Sequence, residues 1–221
     1  MSVIVRADSV SFGYGMGTTL DSVSLTVEAG EALGIVGPNG GGKTTLLRLL
    51  LGLLKPHRGR IQWQPNGAHP RRIGYASQFP AFDRGFPMRV REMILQGRLT
   101  YRGPLRGWLP EDHEAAGAAI ARLRLEGLAD HYLGELSGGQ IKRALIARAL
   151  VNEPEVLIMD EPVASLDRDS RLLLAGLVRE MKGRVTLLIA THDPAEFGFP
   201  FDRVITVDRT LATQPGPGAK P

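Results

Sequence analysis

At 221 residues the chain suits one large domain or a core carrying a subdomain. Its 43% apolar and 23% charged residues exclude a disordered or fibrous class, and the absence of cysteine excludes disulfides, thiolate catalysis and cysteine metal sites. A net charge of +4 admits an anionic partner, but so small an excess is ordinary on a soluble surface.

Alternation predicts strands at Val3–Phe12 and Val23–Val27, then a turn at Ala29-Gly30-Glu31. Ala32–Val36 is a short apolar run ending in glycines, which suits a buried strand. Lys43–Leu54 reads as a helix with Leu46, Leu49, Leu50 and Leu53 on one face. The most apolar stretch, Thr45–Leu54, is too short to span a bilayer and contains Arg48. The N-terminus lacks a basic segment followed by an apolar one, so no signal peptide is expected. Further strands are expected at Arg60–Trp63 and Arg72–Tyr75.

The middle of the chain is helical in pattern, at Met88–Gln96, Glu111–Leu125 and about Gly138–Asn152, and reads as an insertion. Strand, helix, strand and strand follow at Val156–Met159, Arg168–Met181, Val185–Ala190 and Arg203–Val207. Continuous apolar strands alternating with helices predict an α/β fold with a mostly parallel sheet. Thr213–Pro221 is rich in Pro and Gly and reads as a flexible tail.

Gly37-Pro38-Asn39-Gly40-Gly41-Gly42-Lys43-Thr44 matches the phosphate-binding pattern G-x-x-x-x-G-K-[ST]. The strand before it and the helix after it are the context that pattern needs. Glycines let backbone N–H groups wrap around phosphate oxygens, and the helix N-terminus adds positive potential. Lys43 would reach the β- and γ-phosphates, Thr44 would ligate Mg²⁺, and Thr45 continues the helix start.

Val156–Met159 runs into Asp160 and Glu161. Ligands of open parallel sheets sit beyond the carboxyl ends of strands, so Asp160 suits Mg²⁺ and Glu161 suits a base or orienter for attacking water. Leu136-Ser137-Gly138-Gly139-Gln140 reads first as a capping box, Ser137 with Gln140. Two glycines after a cap are poor helix formers, but they suit a helix start that approaches an anion closely.

With these segments the chain resembles the ABC-type ATPases over nearly its whole length. That resemblance implies a P-loop NTPase core with an N-terminal antiparallel β subdomain and an inserted α-helical subdomain. It implies one ATPase domain over 1–212, with its core at about 1–78 and 153–212 and the helical subdomain at about 79–152. Tyr14 lies where the family stacks an aromatic on adenine. Gln78 matches the glutamine that contacts Mg²⁺ and signals to the membrane partner. Ser137, Gly138, Gly139 and Gln140 are the signature implied to bind the γ-phosphate held by an opposite protomer. Asp167, in Ser165-Leu166-Asp167, lies in the D-loop, and His192, in Thr191-His192-Asp193, faces the γ-phosphate. Gly41 stands where serine is frequent and Val163 where threonine is usual.

ATP and Mg²⁺ are the implied cofactors. A second ATPase subunit, integral membrane permease subunits and, indirectly, a periplasmic or surface solute-binding protein are the implied partners, on the cytoplasmic face of the membrane. Phe82–Pro87 with Val90 and Gly97-Arg98-Leu99 resembles cassettes of manganese, zinc or iron uptake, which points to metal import. The histidines are scattered, so the metal would be selected elsewhere. Arg71, Arg72, Arg84, Arg89, Arg91, Arg98, Arg102 and Arg106 face only Asp83 and Glu92 in their stretch, and suit acidic groups of a permease, lipid headgroups or solvent. The alternatives are a soluble relative acting on nucleic acid or ribosomes, or a transporter ATPase for another cargo. No nucleic acid is expected: Thr45–Glu135 leaves no room for a long coiled coil, and the chain holds one cassette rather than two.

Overall fold

The computed structural model describes residues 2–15, 17–64, 72–78, 86–99, 107–195 and 198–215. The chain divides into two compact units, Met1–Arg71 with Val178–Pro221, and Arg72–Leu177. This boundary differs from the expected 79–152 insertion, because two core strands and the start of a helix group with the helical segments.

In the first unit, β1 (Val3–Phe12) pairs antiparallel with both β2 (Leu20–Glu28) and β4 (Arg58–Trp63). A second set is mostly parallel. β3 (Ala32–Val36) lies between β7 (Thr186–Ala190) and β8 (Arg203–Asp208) in parallel register. β3 and β7 are apolar at nearly every position and buried along almost their whole length, as a strand covered on both faces requires. β9 (Thr210–Pro215) adds antiparallel to β8 and corrects the tail expectation. Thr213, Gln214 and Pro215 pair with Ile205, Val204 and Arg203. A proline is tolerated there because an edge strand can omit a ladder donor.

Helix α1 (Lys43–Leu50) is shorter than the expected Lys43–Leu54. Gly52 takes a left-handed φ of 72°, and the N–H groups of Leu51 and Gly52 close on Leu47 and Leu49. Leu53 therefore leaves the apolar face and is 63% exposed. Trp63 on β4 donates its indole N–H to the Leu50 carbonyl at 2.8 Å, satisfying an orphan helix-end acceptor.

In the second unit, β5 (Ile73–Ala76) pairs in parallel with β6 (Val156–Asp160). Helices α2 (Val90–Leu95), α3 (Pro110–Arg122) and α4 (Gly138–Leu150) pack on one another, and α4 also packs on β5 and β6. α3 stops before the expected Leu125 because Arg124 adopts a φ of 51°. Helix α5 (Arg168–Met181) follows the acidic end of β6.

Candidate functional site

The first unit gathers the phosphate-loop residues. β3 delivers the chain into Gly37, Pro38, Asn39 and Gly40, and the last three are exposed. Gly37, Gly40 and Gly42 have φ of 151°, 80° and 106°, which only glycine adopts without strain. A side chain on Gly37 would also overlap the Val207 carbonyl. Gly41 has the same neighbour: an added Cβ would sit 2.7 Å from the Val207 oxygen. The N-cap of α1 is Gly42, with no side-chain cap, so this helix start offers backbone N–H groups rather than a capping oxygen. Lys43 is buried and donates through Nζ to the carbonyls of Gly37 (2.8 Å) and Pro38 (3.2 Å). Thr44 is half-buried and Thr45 buried.

Two further residues share this unit. Tyr14 is 52% exposed, its ring edge-on to Phe12 at 5.1 Å. Its loop returns to β2 past the phosphate loop, for a Cβ on Gly42 would lie 3.3 Å from the Thr19 carbonyl. His192 follows β7. Ile35 and Ala190 are register partners, and the Thr191 N–H donates to the Ile35 carbonyl at 3.0 Å. His192 and the phosphate loop thus leave the same strand edge. Thr191 is fully buried and its hydroxyl bonds to the Asp193 carbonyl, while Asp193 Oδ1 accepts from Ala195 N–H at 2.8 Å. Asp193 therefore caps the turn that follows.

The second unit gathers the acidic residues and the signature. Ala76 and Met159 are register partners, so Gln78 and the Asp160–Glu161 pair leave one strand edge. Asp160 and Glu161 are both buried. Glu161 takes a left-handed φ of 47°, a strained conformation of the kind that clusters at functional sites. The capping box at α4 is present: Gln140 N–H donates to Ser137 Oγ (3.3 Å), and Ser137 N–H to Gln140 Oε1 (2.8 Å). Leu136 is buried, while Ser137 and Gly138 face outward. Among the described residues nothing lies within 4 Å of a Cβ added at Gly138; a Cβ on Gly139 would come within 3.3 Å of the Ser165 carbonyl. Asp167 caps α5 by accepting from the Ser170 N–H at 2.7 Å. That bond, more than any neighbouring charge, holds its carboxyl below the usual range.

A family model described as ABC transporter matches residues 20–164. The chain belongs to the ABC transporter family. The cassette is 41% identical over 209 residues to the "probable metal transport system ATP-binding protein" of Chlamydia trachomatis, covering 93% of this chain and 89% of that one. It is 36% identical over 214 residues to the high-affinity zinc uptake system ATP-binding protein of Bacillus subtilis, covering 93% and 91%. Among solved structures it is similar to a dimeric ATP-binding cassette in a post-hydrolysis state with ADP and Pi, at a TM-score of 0.79 and 27% identity, covering 96% and 98%. The cassette is the ATP-hydrolysing subunit of a membrane transporter. No helix among its described residues is long and apolar enough to cross a membrane.

Sequence reasoning missed Lys142. It is buried on α4, with Nζ donating to the carbonyls of Ser77, Gln78 and Asp160. Burial pulls its pKa down to about 8, although Asp160 and Glu161 act to raise it. Four arginines of the basic stretch prove to be partnered: Arg72 by Glu155, Arg89 and Arg91 by Asp130, and Arg98 by Asp112. The Phe82–Gly85 part of the metal-type resemblance, with Arg71, Arg84, Arg102 and Arg106, lies outside the described residues. Among the described residues no group of three or more His, Asp or Glu could hold a metal ion. A cleft of about 780 Å³ opens near the start of β3, lined by residues that include Glu31, Lys182, Asp202 and Arg203. These four pair with one another, Arg203 with Glu31 and Lys182 with Asp202, at the strand edge away from the phosphate loop.

Proposed function

We propose that this cassette powers the import of a divalent metal ion such as zinc or manganese through separate membrane permease subunits. The names of its relatives support the cargo, since of the two quoted above one is named for metal transport and the other for zinc uptake, at 41% and 36% identity. The observation that carries the catalytic part is the start of α1, which has no side-chain cap and holds Lys43 buried at its first position; the strained, buried Glu161 of the second unit supports it independently.

In this reading Gly37 to Thr45 bind the triphosphate through backbone N–H groups, and Lys43 exchanges its loop carbonyls for phosphate oxygens. Tyr14 stacks on the adenine. Glu161 takes the proton of the attacking water, and His192 hydrogen-bonds the γ-phosphate. The Thr44 hydroxyl, the Asp160 carboxylate and the Gln78 amide are hard oxygen donors, the set that suits Mg²⁺. When bound, Mg²⁺ neutralises charge on the phosphates. Ser137, Gly138, Gly139, Gln140 and Asp167 serve the nucleotide of a second copy, so two cassettes close head to tail around two ATP molecules. Hydrolysis then opens the pair and moves the permease at the cytoplasmic face.

Glu161→Gln tests the catalytic part. Removing a general base costs about 10²- to 10⁴-fold. Hydrolysis should fall by that amount while ATP binding persists and an ATP-bound dimer accumulates on a sizing column. Undiminished turnover would remove Glu161 from the role. The cargo is tested by isolating the full transporter and measuring uptake of zinc and manganese into vesicles. Uptake of a sugar or peptide instead would overturn the metal assignment.

A further inference from the structure

Lys142 is a buried ammonium on the second turn of the signature helix. It reaches out of its own helix to two other segments. Its Nζ lies 3.2 Å from the Ser77 carbonyl, 3.1 Å from that of Gln78 and 3.2 Å from that of Asp160. An ammonium carries three N–H donors, and here it has three carbonyl acceptors. Two belong to the turn after β5 and one to the last residue of β6.

A structural side chain of this size could bury an apolar tip for less desolvation. A cation in this place has a different consequence. It pulls two backbone segments toward one point and fixes their distance from α4. Each of those segments carries a residue that the proposed mechanism uses, Gln78 in one and Asp160–Glu161 in the other. The helix that carries Lys142 begins at Ser137, the exposed signature. A single side chain therefore ties the two strand ends to the helix that would meet a second copy's phosphate.

We propose that Lys142 is a positioning residue for ATP hydrolysis. Its ammonium locks the Gln78 turn and the end of β6 to the signature helix, so that Glu161 is held where it can take the proton of the attacking water. The proposal rests on the reading of Gln78, Asp160 and Glu161 as hydrolytic residues. Lys142 touches no substrate and acts through the backbone it holds.

The test compares the full-length wild type with Lys142→Met and Lys142→Arg. Methionine keeps the apolar stem and takes this donor from three carbonyls, that of Asp160 buried and those of Ser77 and Gln78 partly so. It should lower kcat by about tenfold or more and change KM for ATP by less than about threefold. Amide hydrogen exchange, read without nucleotide, should rise at residues 76–78 and 160–162. Arginine keeps the charge, but its planar fork is longer and cannot offer three converging N–H groups, so kcat should stay about fivefold below wild type.

A methionine variant with wild-type kcat and wild-type exchange overturns the proposal. So does an equal loss of kcat and ATP affinity, which would mark general damage. If methionine prevents folding, the arginine variant decides: reduced kcat supports the lock, and wild-type kcat overturns it. Loss of a cooperative melt in both variants would make Lys142 a folding residue and end the positioning claim. A wild-type chain that fails to hydrolyse ATP would sink the catalytic reading instead, while the exchange measurement would still report on the lock.

Discussion

Two buried lysines hold two different kinds of structure. Lys43 donates to carbonyls five and six residues back along its own loop. Lys142 donates to carbonyls 65, 64 and 18 residues away. The chemistry is the same, an ammonium on backbone acceptors, but the consequence is not. A lysine that donates to its own loop can exchange those carbonyls for phosphate oxygens with little disturbance beyond the loop. A lysine that joins three segments cannot let go without loosening all of them. Local satisfaction suits a group that must exchange partners; long-range satisfaction suits one that must not.

The largest effect that would break this contrast comes from Lys43→Ala. Loss of a cation that neutralises transferring phosphate should lower ATP hydrolysis by about 10²- to 10³-fold. The melting temperature should move by only a few degrees, about the scale of 1 kcal/mol in a chain of this size. Calorimetry beside an ATPase assay reads both. A melting temperature that falls as far as in Lys142→Met would show that Lys43 is also a long-range tie.

This contrast also marks what the sequence could and could not disclose. The phosphate loop, the acidic strand end and the signature were legible because each chemistry needs its residues close together in sequence. A helix start needs its glycines within a turn, and Ser137 with Gln140 is a spacing of three. Asp167 was legible as well, by its place in Ser165-Leu166-Asp167, and it proves to cap α5. Lys142 gave no signal, since a lysine between Ile141 and Arg143 looks like a solvated helix position. Only the packing of α4 on β5 and β6 turns it inward. The left-handed φ of Glu161 was equally silent, because backbone strain has no residue code outside glycine and asparagine. β9 escaped because Thr210–Pro215 ends in a proline and lies next to a Pro/Gly run, a pattern that composition reads as loose chain.

A smaller effect sharpens the local side of the comparison. Gly37→Ala places a methyl group against the Val207 carbonyl at a φ of 151°. Backbone strain and overlap together should cost about 2–4 kcal/mol of stability, read as a lower urea midpoint. The loop that frees Lys43 to change partners is thus itself held rigidly by β8. A variant as stable as wild type would show the loop to be pliable and would weaken the idea that only the lysine moves.

The smallest effect on stability should come from Gly138→Ala, and that makes it the sharpest probe of a second copy. Gly138 is exposed, and among the described residues an added Cβ meets nothing within 4 Å. Alanine also favours a helix more than glycine does, so stability should stay within about 0.5 kcal/mol of wild type or rise slightly. Nothing among the described residues gives this substitution a reason to harm hydrolysis. If the signature receives the phosphate of a second copy, however, a methyl group there stands between the helix start and the anion. Hydrolysis should then fall by about tenfold or more, with ATP binding to the isolated chain unchanged. The neighbouring Gly139 could not make this distinction, because its space is already limited by the Ser165 carbonyl at 3.3 Å from an added Cβ. Wild-type hydrolysis in Gly138→Ala, measured at concentrations where the cassette is dimeric, would mean that the outward face of α4 does no catalytic work. The signature would then be only the capping box that Ser137 and Gln140 form, and the long-range tie made by Lys142 would have no partner site to report to.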